Sequence, residues 1–172
     1  FNLKRICSYK TLAVNLNKCA ALAMKLLFLI MRMNRKDQHV IKHIDSSEIP
    51  VCLFKNAHTH KTMKGFASFM RGSHGTYFGL KLHLISDVKR KILAIRITSA
   101  NVDDRDFVIE MAYGLEGLFI ADAGYVSEKL EQEFYQRYHR KLLIKPRKNM
   151  KKVFTAFEEK LYQTRAQIEF NF

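Results

Sequence analysis

The chain has 172 residues, with 30 Lys and Arg against 16 Asp and Glu, a formal net charge of +14 and a pI near 9.8. That length suffices for one domain with a core, and a hydrophobic share of 48% excludes a disordered chain, while the cationic excess asks for a polyanionic partner, most simply nucleic acid, with a generically basic protein as the alternative. Cys7, Cys19 and Cys52 form neither a CxxC pair nor an even disulfide frame, which fits a reducing cytoplasm, and His58-x-His60 has no partners at zinc-finger spacing.

Residues 20–31 are the most apolar stretch. Lys25 interrupts them, and they fall short of the roughly 20 residues a bilayer span needs. Basic residues flank the run, but no A-x-A cleavage site follows, so a buried helix is expected. Residues 39–54 read as a strand carrying Asp45, with Pro50 near its end. Residues 55–76 read as a long basic loop. From Lys55 to Arg71 its basic residues with interleaved Phe66 and Phe69 suit it to a DNA backbone, with a solvated loop as the near-equal alternative. Residues 77–86 and 91–98 alternate apolar and polar around a turn at 87–90 and predict a hairpin. His83 on the first of these strands is expected to be a satisfied sheet histidine.

A helix start at 101–104 leads into an apolar-periodic run to about Tyr113, with Asp103, Asp104 and Asp106 as helix-start charge rather than metal ligands. Gly114 and Gly117 bracket its end. Residues 118–121 are the next strand, Ser127 caps a helix to about His139 with Glu128 in its first turn, and residues 141–145 form a short strand stopped by Pro146. The run Lys145, Arg147, Lys148, Lys151 and Lys152 is either a phosphate grip or a solvated cluster. Residues 153–172 read as one helix. This order predicts an α/β fold, a mixed five-stranded sheet with helices on both faces, preceded by a short helical segment over residues 1–36. No Gly-rich phosphate loop and no G-x-S-x-G turn is present.

Phe119-Ile120-Ala121-Asp122-Ala123-Gly124-Tyr125 delivers a carboxylate to the end of a buried strand. If this strand and the one bearing Asp45 are parallel neighbours, both carboxylates reach the sheet edge where α/β proteins bind ligands. Glu169 on the final helix could complete an acidic triad. Clustered carboxylates repel unless a cation joins them, and Mg²⁺ favours such oxygen ligands. The alternative is that all three are surface acids. Tyr162, Arg165 and Glu169 fall at i, i+3 and i+7 and so share a helix face. Arg165 could orient an acid or grip a phosphate, or simply pair with Glu169 for a few tenths of a kcal/mol.

Tyr162-x2-Arg165-x3-Glu169 resembles the first three letters of the YREK signature of bacterial insertion-sequence transposases of the DDE class. Residues 44–52 (Ile-Asp-Ser-Ser-Glu-Ile-Pro-Val-Cys) resemble that family's first-Asp strand, and residues 79–84 (Gly-Leu-Lys-Leu-His-Leu) its second strand. Residues 100–105 resemble the entry to its next helix, and Ala121-Asp122-Ala123-Gly124-Tyr125 its second-Asp turn. The similarity runs in order from about residue 39 to the end.

The resemblance implies a ribonuclease-H-like core over residues 37–172, with Asp45, Asp122 and Glu169 as catalytic ligands of two Mg²⁺ (or Mn²⁺). It implies nicking at a transposon end, then attack of the freed 3′-hydroxyl on target DNA. Tyr162 and Arg165, with Lys145, Arg147 and Lys148, are expected to contact DNA. It further implies a homodimer when full length and a bacterial, nucleoid-associated, cytoplasmic protein with no membrane partner. Two departures stand out. The signature Lys is due seven residues after Glu169, whereas the chain stops three after it, and residues 1–36 are too few for the family's N-terminal DNA-binding domain. The expectation is a core clipped at both ends, with Glu169 in a fraying last turn beside a new α-carboxylate, weak metal binding and little strand transfer. The alternatives are a metal-dependent nuclease of the same fold, or a non-catalytic basic DNA-binding remnant.

Overall fold

The computed structural model describes residues 8–59, 61, 63–72, 75–147, 150–151 and 153–172. A long helix α1 (Tyr9–Lys36) leads into β1 (Ile41–Leu53), β2 (Ser68–Gly72), β3 (Gly75–Asp87) and β4 (Ile92–Ser99). Then come the one-turn helix α2 (Val108–Met111), β5 (Leu118–Ala121), α3 (Glu128–Tyr138), β6 (Leu142–Ile144), α4 (Ala156–Gln163) and α5 (Ala166–Glu169).

The strands form one mixed sheet in the order β2-β3-β1-β5-β6. β2 and β4 share the outer edge of β3, β2 along residues 75–79 and β4 along residues 80–86. β1 pairs antiparallel with β3 and parallel with β5, and β5 pairs parallel with β6. Without β2, this is the ribonuclease-H-like order expected of a five-stranded sheet. The sixth strand lies inside the segment expected to be a basic loop. Phe69 makes it a strand: its ring packs on Phe54 and Phe78, with centroids 5.4 and 5.0 Å away. That anchoring depends on a partner strand, so the basic local composition hid it.

Strand alternation assigns each face its cover. Ile44, Phe119, Ala121, Leu142 and Ile144 join Val108, Ile109 and Met111 of α2 and Leu130 and Phe134 of α3 in the main core. On the opposite face, Leu143 lies in a pocket shared with Leu161 of α4, α5 contacts β1, and Ile168 is fully buried. Pro50 cannot donate to the ladder, and the register with β3 shifts just beyond it, between Pro50 and Cys52. The β3–β4 hairpin closes at Asp87, whose Oδ1 accepts from the backbone N–H groups of Lys89 and Lys91, both at 2.9 Å. His83 is the satisfied sheet histidine expected, its Nε2 lying 2.8 Å from Thr98 Oγ1.

Three helical expectations need correction. The apolar stretch at 20–31 belongs to the 28-residue α1, which among its described residues buries only Met31. By length and composition α1 is apolar enough to cross a membrane, its best window having a mean hydropathy of 1.5. Its last turns are fastened to β4 through Asn34 Nδ2 to Ile92 O (2.9 Å) and Arg35 Nε to Leu93 O (2.8 Å). The helix expected from 101 to 113 shrinks to α2, because Asp103 and Asp104 do other work. Asp103 Oδ1 accepts from Arg105 N and pairs with its guanidinium, and Asp104 pairs with the buried Lys81 Nζ at 2.9 Å. Such side-chain bonds compete with helix formation. The final helix is two, broken at Thr164 and Arg165.

Candidate active site

β1 and β5 run in parallel from Ile41 opposite Leu118 to Ile44 opposite Ala121. The next residues on the two strands are Asp45 and Asp122, so the register delivers both carboxylates to the same end of adjacent strands. Gly117 permits this parallel start. Its φ is +94°, and a Cβ there would lie 2.1 Å from Val40 O. Beyond Asp122 the chain turns into a short 3₁₀ segment, Ala123–Tyr125, whose first N–H is capped by the Asp122 side chain. Ser46 N donates to Asp45 Oδ1 at 2.9 Å.

The third acid arrives on α4–α5. Thr155 opens α4 with a capping box, its hydroxyl accepting from Glu158 N while Glu158 accepts from Thr155 N. Lys141 Nζ adds a 2.7 Å bond to Glu158, and Glu158's carboxyl is held at about 2, with the Lys141 bond as the largest cause. Tyr162 lies at the end of α4, Arg165 at the break and Glu169 at the end of α5.

Arg165 is the hub. Its Nη2 is 2.7 Å from Asp45 Oδ2 and 3.7 Å from Asp122 Oδ2, and its Nη1 is 3.5 Å from Glu169 Oε1. Tyr162 Oη donates to Asp122 Oδ1 at 3.2 Å. The structure thus brings Asp45, Asp122 and Glu169 around one guanidinium, on one side of the sheet. Among the described residues it gathers no three His, Cys, Asp or Glu side chains closely enough to hold an ion. Asp45 and Arg165 are each 15% exposed at the side chain, Asp122 46% and Glu169 64%.

Burial raises Asp45's pKa despite the opposing guanidinium, and the Asp122 charge adds to the rise. Burial acts against Arg165's charge too, but Asp45 and Asp122 outweigh it and its pKa rises. Desolvation, then the Asp122 charge, pushes Tyr162 up to about 12, so its hydroxyl keeps its proton at neutral pH.

Of the expected DNA contacts, Lys145 follows β6 with its Nζ 5.0 Å from the centroid of the Tyr162 ring, and Arg147 Nε donates to Ala123 O at 3.3 Å. Both therefore border the Asp122 turn. Lys148 lies outside the described residues, as does His60. The spacing argument passed over His43 and Thr164. His43 is fully buried, and its Nε2 is 2.9 Å from Thr164 Oγ1. Burial, then the Arg165 charge, lowers its pKa to about 4, so the ring is neutral. Its position two residues before Asp45, on the same face of the strand, was the available signal.

The family model for the transposase DDE domain matches residues 35–171, which takes in every one of these residues. No curated protein and no solved structure matches the chain. With a ribonuclease-H-like sheet, two acids paired by strand register and a match over most of its length, the chain belongs to the transposase DDE-domain family, DNA-recombining enzymes that transfer phosphoryl groups on DNA and generally use divalent metal ions.

Proposed function

We propose that Asp45, Asp122 and Glu169 are the catalytic carboxylates of a bacterial insertion-sequence transposase of the YREK group, within a catalytic core spanning residues 37–172. The single observation that carries this reading is the guanidinium of Arg165 shared among the three acids. It is a cation held between oxygen ligands of the kind that Mg²⁺ or Mn²⁺ prefers, although the three carboxylates, spaced by the guanidinium, would have to close further to share an ion. The chemistry two such ions supply is activation of an attacking water or 3′-hydroxyl and stabilisation of the leaving oxygen.

The chain's own groups have separable tasks. Asp45 and Asp122 supply oxygens from the rigid sheet, and Glu169 supplies one from a four-residue helix. Arg165 neutralises the acids, and its guanidinium would be available to a DNA phosphate if Asp45, Asp122 and Glu169 held a cation instead. Tyr162, protonated, can donate to a phosphate oxygen, Lys145 and Arg147 extend the cationic rim over the backbone, and Lys148 remains a proposed DNA contact from the sequence alone. The exposure of Glu169 favours the expectation of weak metal binding and impaired strand transfer in this chain. It also keeps a basic DNA-binding remnant as the second reading. A homodimer of the full-length protein and a cytoplasmic, nucleoid-associated location without a membrane partner complete the proposal. The attachment of α1 to β4 supports it.

The test is Mn²⁺ binding followed by electron paramagnetic resonance, alongside plasmid nicking. Asp45→Asn and Asp122→Asn should each weaken Mn²⁺ binding by about tenfold or more, roughly the effect of removing one charged ligand, and abolish nicking while leaving salt-sensitive DNA binding intact. Unchanged Mn²⁺ affinity in both variants would refute the assignment.

A further inference from the structure

His43 and Asp45 leave the same face of β1, and each is tied to the α4–α5 segment: His43 to Thr164 at 2.9 Å and Asp45 to Arg165 at 2.7 Å. The two tethers are two residues apart on the strand and adjacent at the break. Thr164 Oγ1 donates its proton to Leu161 O at 2.6 Å. A hydroxyl carries one proton, so the network assigns the His43 Nε2 as the donor to Thr164 and leaves Nδ1 bare. Nδ1 indeed has no partner. Packing alone does not account for an imidazole in a fully buried position with one nitrogen unsatisfied. An apolar side chain would fill the space without that cost. What only the imidazole supplies is the bond to Thr164.

Thr164 matters because of its neighbours. It ends α4 two residues after Tyr162 and stands directly before Arg165, from which α5 begins. Its backbone N–H bonds to Leu161 O and that of Arg165 to Tyr162 O, so the break is a tight turn whose placement carries both side chains with it. We infer that His43 is a positioning residue for the reaction: through Thr164 it fixes the helix break against β1 in the register that seats Arg165 on Asp45 and Asp122. The inference rests on the reading of those acids as the catalytic carboxylates, since only then does the seat of Arg165 bear on chemistry.

The experiment reads Arg165 directly in the metal-free full chain, as the rate of its modification by phenylglyoxal followed by peptide mass spectrometry. Arg137, whose side chain is 61% exposed, serves as the internal reference, and Asp45→Asn calibrates the acceleration that a freed Arg165 shows. Thr164→Val, which keeps shape and removes the hydroxyl, and His43→Leu should each accelerate Arg165 modification about fivefold, the scale of one lost hydrogen bond. Thr164→Ser and His43→Gln keep a hydroxyl and a donor at the same reach and should restore the native rate. The Thr164→Val/His43→Leu double variant should match one single variant rather than multiply the two. If Arg165 reacts at the native rate in Thr164→Val, or if the conservative variants accelerate it as much as the disruptive ones, the positioning role is wrong. Should His43→Leu fail to fold, the Thr164 pair carries the test alone. No cation enters the measurement, so failure of the metal-ligand reading, seen in Mn²⁺ binding, is a separate result.

Discussion

Replacing Arg165 with Met keeps most of the aliphatic stem and deletes the charge that joins the three acids. Breaking a fully buried ion pair by removing one partner costs about 3–5 kcal/mol. Here Asp45 and Arg165 keep 15% of their side-chain exposure, and Asp122 and Glu169 are much wetter, so those two add little. Asp45, its pKa already raised by burial, can also take up a proton to relieve its isolation. A loss of about 2 kcal/mol is the resulting expectation. For a chain of this size each kcal/mol moves the melting temperature by about 2–4 °C, so Arg165→Met should melt about 4–8 °C below the native chain in chelator. The same substitution vacates the space between the carboxylates. A divalent cation at about a hundred times its dissociation constant adds about 2.7 kcal/mol. Mg²⁺ at that level should therefore recover the whole deficit in Arg165→Met and stabilise the native chain far less, because there it must first displace the guanidinium. The assay is thermal unfolding by circular dichroism with chelator and with Mg²⁺. Equal melting of the two chains in chelator, or equal gains in Mg²⁺, would refute the view that Arg165 occupies a cation site.

Two further perturbations test how the site is held in place. Gly117→Ala forces a side chain onto a φ of +94° and a Cβ to within 2.1 Å of Val40 O; it should cost about 3 kcal/mol or more, read as a lower urea midpoint, and a midpoint within error of the native one would discredit the close approach. Glu158's pKa is depressed from 4.5 to about 2, first by the bond from Lys141, so its contribution to stability is whole above pH 4.5 and fades as the pH falls toward 2. Glu158→Gln should flatten that part of the pH–stability profile, and parallel profiles for the two chains would show that the capping box and Lys141 do not anchor α4.

Much of the architecture was legible because it is written locally. Alternation marked β3 and β4, the short apolar runs marked β5 and β6, and Ser127 marked the start of α3. Each signal lies within the element it describes. The order of these elements allowed β1 and β5 to be parallel neighbours, and the expectation of Asp45 beside Asp122 was conditional on that; the pairing itself came from the tertiary structure. Spacing likewise placed Tyr162, Arg165 and Glu169 together, and the three do reach one cluster although the helix carrying them is broken.

What the tertiary structure alone decided involves partners distant in sequence. β2 exists because Phe69 meets Phe54 and Phe78. Residues 101–107 stay non-helical where Asp104 meets Lys81 from another strand. α1 stays largely exposed although its composition suits a core, since burial depends on what else packs there and not on apolarity alone. The break at Thr164 is hydrogen-bonded to His43, 121 residues earlier, a separation across which no local propensity or periodicity acts. That same long reach puts a guanidinium between the acids, a charge balance that only coordinates in space can set.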